Sequence, residues 1–220
     1  MLIRKEHTDT GGLLGIWKME ESREELLTHF PEHLRPKAVA YTGNIRSQQR
    51  SIEWLSSRAM LFILLGEDKS IQNYPDGRPY LADHSHLISI SHTKEYAALL
   101  LHHSLPVGID IERRSERIKK IADKFISESE YIDPSRKVIH QLLHWSAKES
   151  LFKLMNQQGV DFRQHLHIQP FIPMDSGTMI ATETRTELSR TFLIRYEVHD
   201  EYVLTWVTGD DESATKKRPG

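Results

Sequence analysis

Val107-Gly-Ile-Asp-Ile-Glu112 alternates apolar and acidic side chains with the period of two that marks a strand. That period puts Ile109 and Ile111 on one face, toward a core, and Gly108, Asp110 and Glu112 on the other. A related stretch, Leu14-Gly-Ile-Trp-Lys-Met19, stands 93 residues earlier. A second pair of stretches, Arg58-Ala-Met-Leu-Phe-Ile-Leu64 and Lys148-Glu-Ser-Leu-Phe-Lys-Leu154, is offset by 90. Two near-equal offsets imply one internal duplication. In this register Asp110 aligns with Trp17, Glu112 with Met19, Glu149 with Ala59 and Lys153 with Ile63, so the polar residues stand only in the second copy.

The surrounding patterns fit such a repeat. Residues 13–19 read as a strand and 21–30 as a helix ended by Pro31. Residues 46–65 carry Ile52, Leu55, Ala59, Phe62 and Ile63 at helical spacing, with Arg50 and Arg58 on the other side and Gly66 as a stop. Residues 73–79 form a turn cluster, and 87–91 with 96–101 read as a hairpin. The order restarts with the strand 107–112, a charged helical stretch through Phe125, a Pro134-initiated helix to about Asn156, and strands over 191–198 and 202–208. The expected fold is α+β: two similar α/β halves, β-α-α-β-β repeated and related by a pseudo-twofold. Their spans are 1–104 and 105–209, the second half carrying the reactive residues, followed by a disordered tail over 210–220.

Composition narrows the function. Lys and Arg total 29 against 31 Asp and Glu, a net charge of −2, without the basic excess of a non-specific nucleic-acid binder. With no cysteine there is no disulfide, thiolate nucleophile or Cys-ligated zinc. No apolar run nears the ~18 residues of a membrane span, and the opening MLIRKEHTDTGG lacks a leader's apolar stretch. A soluble, cytoplasmic protein is expected, with neither a membrane nor a nucleic-acid partner.

Asp110 and Glu112 project side by side from one strand face, where a cation between them relieves like-charge repulsion and hard oxygen donors suit Mg²⁺. Gly108 leaves open space for a ligand on that face. In Trp145-Ser-Ala-Lys-Glu-Ser-Leu-Phe-Lys153, Glu149 and Lys153 lie one helical turn apart with Ser146 adjoining, over a packing stripe of Ala147, Leu151 and Leu154. Glu149 then supplies a third acid, and the set suits a polyphosphate with Mg²⁺. Ser91 and His92 end a strand at a loop, where ligand contact is common; Arg78 sits in the turn Asp76-Gly-Arg-Pro79. Each taken alone has a bland reading: a solvated strand face, an i,i+4 surface pair, a structural histidine, a turn. His102-His103 and His165-x-His167 lack a zinc-site pattern and are read as structural.

In order, G-R-P at 77–79, S-I-S-H-T at 89–93, V-G-I-D-I-E at 107–112, K-F-I-S-E-S-E at 124–130 and W-S-A-K-E-S-L-F-K at 145–153 resemble the 4′-phosphopantetheinyl transferase superfamily. The length resembles its larger, surfactin-synthetase-activating, pseudo-dimeric type. The resemblance implies that the chain is a holo-[acyl-carrier-protein] synthase, moving the 4′-phosphopantetheine arm of coenzyme A to a serine of an apo acyl or peptidyl carrier protein and releasing adenosine 3′,5′-bisphosphate. Such chemistry serves fatty-acid, polyketide or nonribosomal-peptide synthesis. It further implies that Asp110, Glu112 and Glu149 bind Mg²⁺, with Mn²⁺ the alternative, that Glu149 is the general base, and that Lys153 contacts the pyrophosphate. Ser91, His92, Arg78 in place of the family's lysine, and Arg50 would hold the nucleotide. Ser89 stands where the family more often has Asn. A monomer with an internal pseudo-dimer is implied, and the five basic residues within 113–120 are a candidate docking face for an acidic carrier helix. The competing readings are a Mg²⁺-dependent nuclease or phosphodiesterase, and a non-catalytic module binding carrier protein or coenzyme A.

Overall fold

A computed structural model describes residues 1–209. Its chain divides into two units, Met1–Ser104 and a second beginning at Leu105. The tail expected to be disordered, 210–220, lies outside the described residues.

In the first unit β1 (Leu2–His7) and β2 (Leu13–Lys18) precede three helices, α1 (Arg23–Thr28), α2 (Arg35–Gly43) and α3 (Gln48–Leu65). Ser22 and Glu25 close a capping box at the start of α1, satisfying backbone donors that the first turn leaves over. Ser47 caps α3, and Gly66 ends it in the left-handed conformation at φ 67°, its N–H donating to the Phe62 carbonyl. A small hairpin, β3 (Ile71–Asn73) and β4 (Pro79–Leu81), leads to β5 (Leu87–His92) and β6 (Tyr96–His102). The main sheet has the order β1-β2-β6-β5 and is antiparallel throughout. Its core gathers Trp17, Leu55, Ala59, Met60, Leu64 and Leu99 where α3 packs on β2 and β6.

The second unit opens with β7 (Val107–Arg113). The charged stretch expected as a helix forms short 3-10 turns, Glu116–Lys120 and Ala122–Lys124, pinned by Ile118, Ala122 and Phe125 in the core. A 3-10 turn at Pro134–Arg136, capped by Asp133, delivers the chain into α4 (Lys137–Met155), which ends at Asn156 with φ 54°. After α5 (Phe162–His165) come β8 (Leu166–Ile168), β9 (Ser176–Glu183), β10 (Thr191–Val198) and β11 (Tyr202–Thr208), in an antiparallel sheet of order β7-β11-β10-β9-β8. β1, α2, β3, β4, α5, β8 and β9 were not anticipated from the sequence.

The mixed α and β composition expected is present. In each unit the strand bearing the aligned hexapeptide pairs with the last strand, that strand pairs with the one before it, and the long helix packs on the first two. No helix among the described residues is long and apolar enough to cross a membrane.

Candidate active site

α4 lies on the Gly108, Asp110 and Glu112 face of β7, which corrects the expectation that this face is open. A Cβ built on Gly108 would stand 1.9 Å from the Ser150 carbonyl oxygen and 3.2 Å from the Leu154 nitrogen. The glycine admits a helix backbone, not a ligand. The apolar core also sits on this side, through Val203, Val207, Ala147 and Leu151, while Ile109 and Ile111 are buried on the opposite face. Asp110 is consequently only 3% exposed.

A buried seam of hydroxyls makes that close approach tolerable. Thr205 sits opposite Asp110 in the β7–β11 register. Its hydroxyl bonds those of Ser146 at 2.9 Å and Ser150 at 2.7 Å, and Ser150 also donates to the Thr205 carbonyl at 3.1 Å. Every member thus finds partners, as a buried polar network requires.

Lys153, one turn beyond Glu149, reaches back to β7 and donates to Asp110 Oδ1 at 2.8 Å and to the Ile109 carbonyl at 3.0 Å. Trp145 Nε1 donates to Glu112 Oε1 at 2.7 Å, its ring held between Phe125 and Phe162. The three acids share one electrostatic field. Burial first, then the Asp110 charge, push the Glu112 carboxyl up to about 7, with Glu149 adding and the Trp145 hydrogen bond and Lys153 opposing. Glu149 is raised by burial and by Asp110 against the pull of Lys153. Sequence reasoning placed Asp110, Glu112, Glu149 and Lys153 as candidates, and these four influence one another. It missed Trp145 as the donor to Glu112 and Thr205 as the link beneath Asp110; no single-strand or single-helix pattern encodes a bond between elements.

The donor chemistry, with Asp110 raising both Glu112 and Glu149, suits a hard divalent cation. Among the described residues, however, no three His, Cys, Asp or Glu side chains are gathered into a ready-made metal site. The cation nearest Asp110 in this arrangement is the Lys153 ammonium.

Neighbouring Glu149, Lys148 points the other way and is fully buried. It donates to Glu130 at 2.8 Å and to the carbonyls of Phe125 at 2.6 Å and Phe162 at 3.1 Å. Glu130 in turn accepts from the Ser127 and Ile168 amides, so one ion pair ties α4 to the loop before it and the strand after it. Burial alone would raise the Glu130 carboxyl, but Lys148 and these donors hold it below its usual range.

The remaining candidates lie in the first unit. Ser91 is buried on β5, and the half-exposed His92 ring stands 3.7 Å from Glu53 of α3. Arg50 is exposed in the first turn of α3, its amide taken by the Ser47 cap. Arg78 is engaged within its own turn, donating to Asp76 at 2.8 Å and lying over the Tyr74 ring.

The stretch 106–207, which contains all three acids, Lys153, Trp145 and Thr205, matches the family model of the 4′-phosphopantetheinyl transferase superfamily. This stretch belongs to that superfamily. A curated relative, "4′-phosphopantetheinyl transferase gsp" of Aneurinibacillus migulanus, is 36% identical over 115 residues, covering 50% of this chain and 43% of the relative. The aligned part is therefore less than half of that phosphopantetheinyl transferase.

Proposed function

We propose that the protein transfers the 4′-phosphopantetheine arm of coenzyme A to a serine hydroxyl of an apo acyl or peptidyl carrier protein, as a holo-[acyl-carrier-protein] synthase does. The observation that carries this reading is Asp110, ion-paired to Lys153 and raising both Glu112 and Glu149, within the stretch that matches the superfamily. Asp110, Glu112 and Glu149 would hold Mg²⁺ or Mn²⁺. Mg²⁺ usually takes one or two carboxylates and fills its other positions with water and phosphate oxygens, so a closed protein cage is not required. The bound ion would supply charge neutralisation at the pyrophosphate.

In this reading Glu149 accepts the proton of the carrier serine as its oxygen bonds to the β-phosphorus, and the bond from that phosphorus to the bridging oxygen breaks to release adenosine 3′,5′-bisphosphate. Lys153 exchanges Asp110 for a pyrophosphate oxygen and stabilises charge on the transferring group. Trp145 keeps Glu112 aimed through its indole donor. Arg50, Arg78, Ser91 and His92 are the proposed nucleotide contacts, and the absence of cysteine accords with a cytoplasmic setting. Residues 1–104 and 105–209 are read as the halves of an internal pseudo-dimer acting as a monomer, supported by the shared connectivity of their sheets.

Intact-mass measurement of an apo-carrier incubated with coenzyme A, Mg²⁺ and the protein tests this. The expected result is one added phosphopantetheine per carrier, lost on chelation; an unmodified carrier across acyl and peptidyl types would refute it.

A further inference from the structure

The first unit contains a cavity of about 370 Å³, within the range of small-ligand pockets. Phe30, Tyr41, Trp54 and Phe62 give it aromatic walls, with Tyr41 and Phe30 stacked on Trp54 at 4.6 and 6.2 Å. Its lining includes Lys37, Arg58 and Lys69 and no acid. Lys69 is committed to Glu67 and Asp83 at 2.9 and 2.5 Å, and Lys37 is exposed at the rim. Arg58 is different: its guanidinium lies 3.8 Å over Trp54, donates to the Trp54 and Ile71 carbonyls at 3.2 and 3.4 Å, and among the described residues no carboxylate acts on it. Those two bonds use two of the five N–H donors an Arg carries.

The aligned position in the second unit shows what is missing. Arg58 aligns with Lys148, and the packing supports that register: a Cβ on Gly15 would meet Met60 and Leu64, and one on Gly108 would meet Ser150 and Leu154, each pair offset by 90. Lys148 also donates to two backbone carbonyls, but its charge is met by the chain's own Glu130. In the first unit a cavity and a half-buried cation stand instead. We propose that this cavity binds a small amphipathic carboxylate, its head on Arg58 where the second unit uses Glu130 and its apolar body between Trp54, Phe30 and Phe62. Burial lowers Arg58 to about 10, so it stays protonated at neutral pH and an anion gains a charge-assisted bond there.

Calorimetric titration of the whole protein with decanoate tests the site, with decanol as the uncharged control. One decanoate per chain is expected, weakened about tenfold in Arg58→Gln and largely retained in Arg58→Lys, while decanol is indifferent to both changes. Lys37→Glu, at an exposed position that leaves folding intact, is also expected to weaken decanoate, and it decides the matter if Arg58→Gln does not fold. Absence of saturable binding, or unchanged decanoate affinity in folded Arg58→Gln or Lys37→Glu, overturns the proposal. So does displacement of decanoate by stoichiometric coenzyme A, which would make the cavity part of the coenzyme's own site.

Discussion

The two units use one arrangement, a glycine-bearing strand under a long helix, to different ends. In the first unit the contact is apolar: Trp17 is buried where the second has Asp110, and Ala97, opposite Trp17, stands where the second has Thr205. Met60 occupies the place of Ser150, and Ser56, the counterpart of Ser146, buries a hydroxyl with no hydrogen-bond partner among the described residues. In the second unit the same seam is filled with hydroxyls and acids whose charges are answered by Lys153, Trp145 and a buried Lys148–Glu130 pair. The same strand-under-helix packing thus makes an apolar core in one unit and a charged cluster in the other. The charged centre carries like-charge strain that a bound cation can relieve.

The glycines give the sharpest contrast. Gly108→Ala meets helix backbone and is expected to cost about 3 kcal/mol or more, whereas Gly15→Ala meets only the ends of Leu64 and Met60 and should cost about 1 kcal/mol. Urea unfolding of both variants measures the difference, and equal losses would break the comparison. Next in size, Lys148→Met strands Glu130 in the core and should destabilise by about 3 kcal/mol. Arg58→Met, which strands no carboxylate, should stay within about 1 kcal/mol of the parent.

Acid sensitivity should also belong to the second unit. His140 and His144 on α4 are both held to about 4 by burial, opposed by Asp133 at His140 and by Glu130 at His144, where Lys148 adds a small further lowering. The unfolded chain binds these protons near pH 6.5 and the folded one does not, so their contribution to stability is intact above about 6.5. It is lost progressively as pH falls from about 6.5 toward 4. Glu112, raised to about 7, and Glu149 act in the opposite sense over this window. The histidine contribution is therefore read as the difference in slope of unfolding midpoints between pH 7 and 4.5, and His144→Phe should be less acid-sensitive than the parent. Smaller than the losses at Gly108 and Lys148, Thr205→Val removes the link between Ser146 and Ser150 and should cost about 2 kcal/mol, while Ser56→Ala should be neutral within about 0.5 kcal/mol. A destabilised Ser56→Ala would show that its hydroxyl has a structural role after all.

What could be read without coordinates follows from periodicity. Strand 107–112 alternates, 87–91 and 202–208 are β-rich runs beside turns, and α3 and α4 carry apolar stripes with clear stops, so these elements and the faces of Asp110, Glu112, Glu149 and Lys153 were visible. β1 was not, because its charged residues are used on both sides: Arg4 pairs with Glu6, and Lys5 donates to the Ile63 and Leu64 carbonyls at the end of α3. β8, at three residues, is too short to show a period. The largest misreading was Gly108, since a sequence does not show whether a missing Cβ makes room for a ligand or for a helix. The Trp145–Glu112 bond and the Thr205 seam likewise exist only once separate elements meet.

The central claim is that acids from β7 and α4 form one reaction centre in which Glu149 takes the serine proton. Its most direct test is the phosphopantetheine transfer rate of Glu149→Gln, followed by intact mass of the carrier. A fall of at least about 100-fold with an unfolding midpoint no lower than the parent's is predicted, since the change removes a buried like charge. A folded Glu149→Gln protein that modifies its carrier at the parent rate would contradict the account.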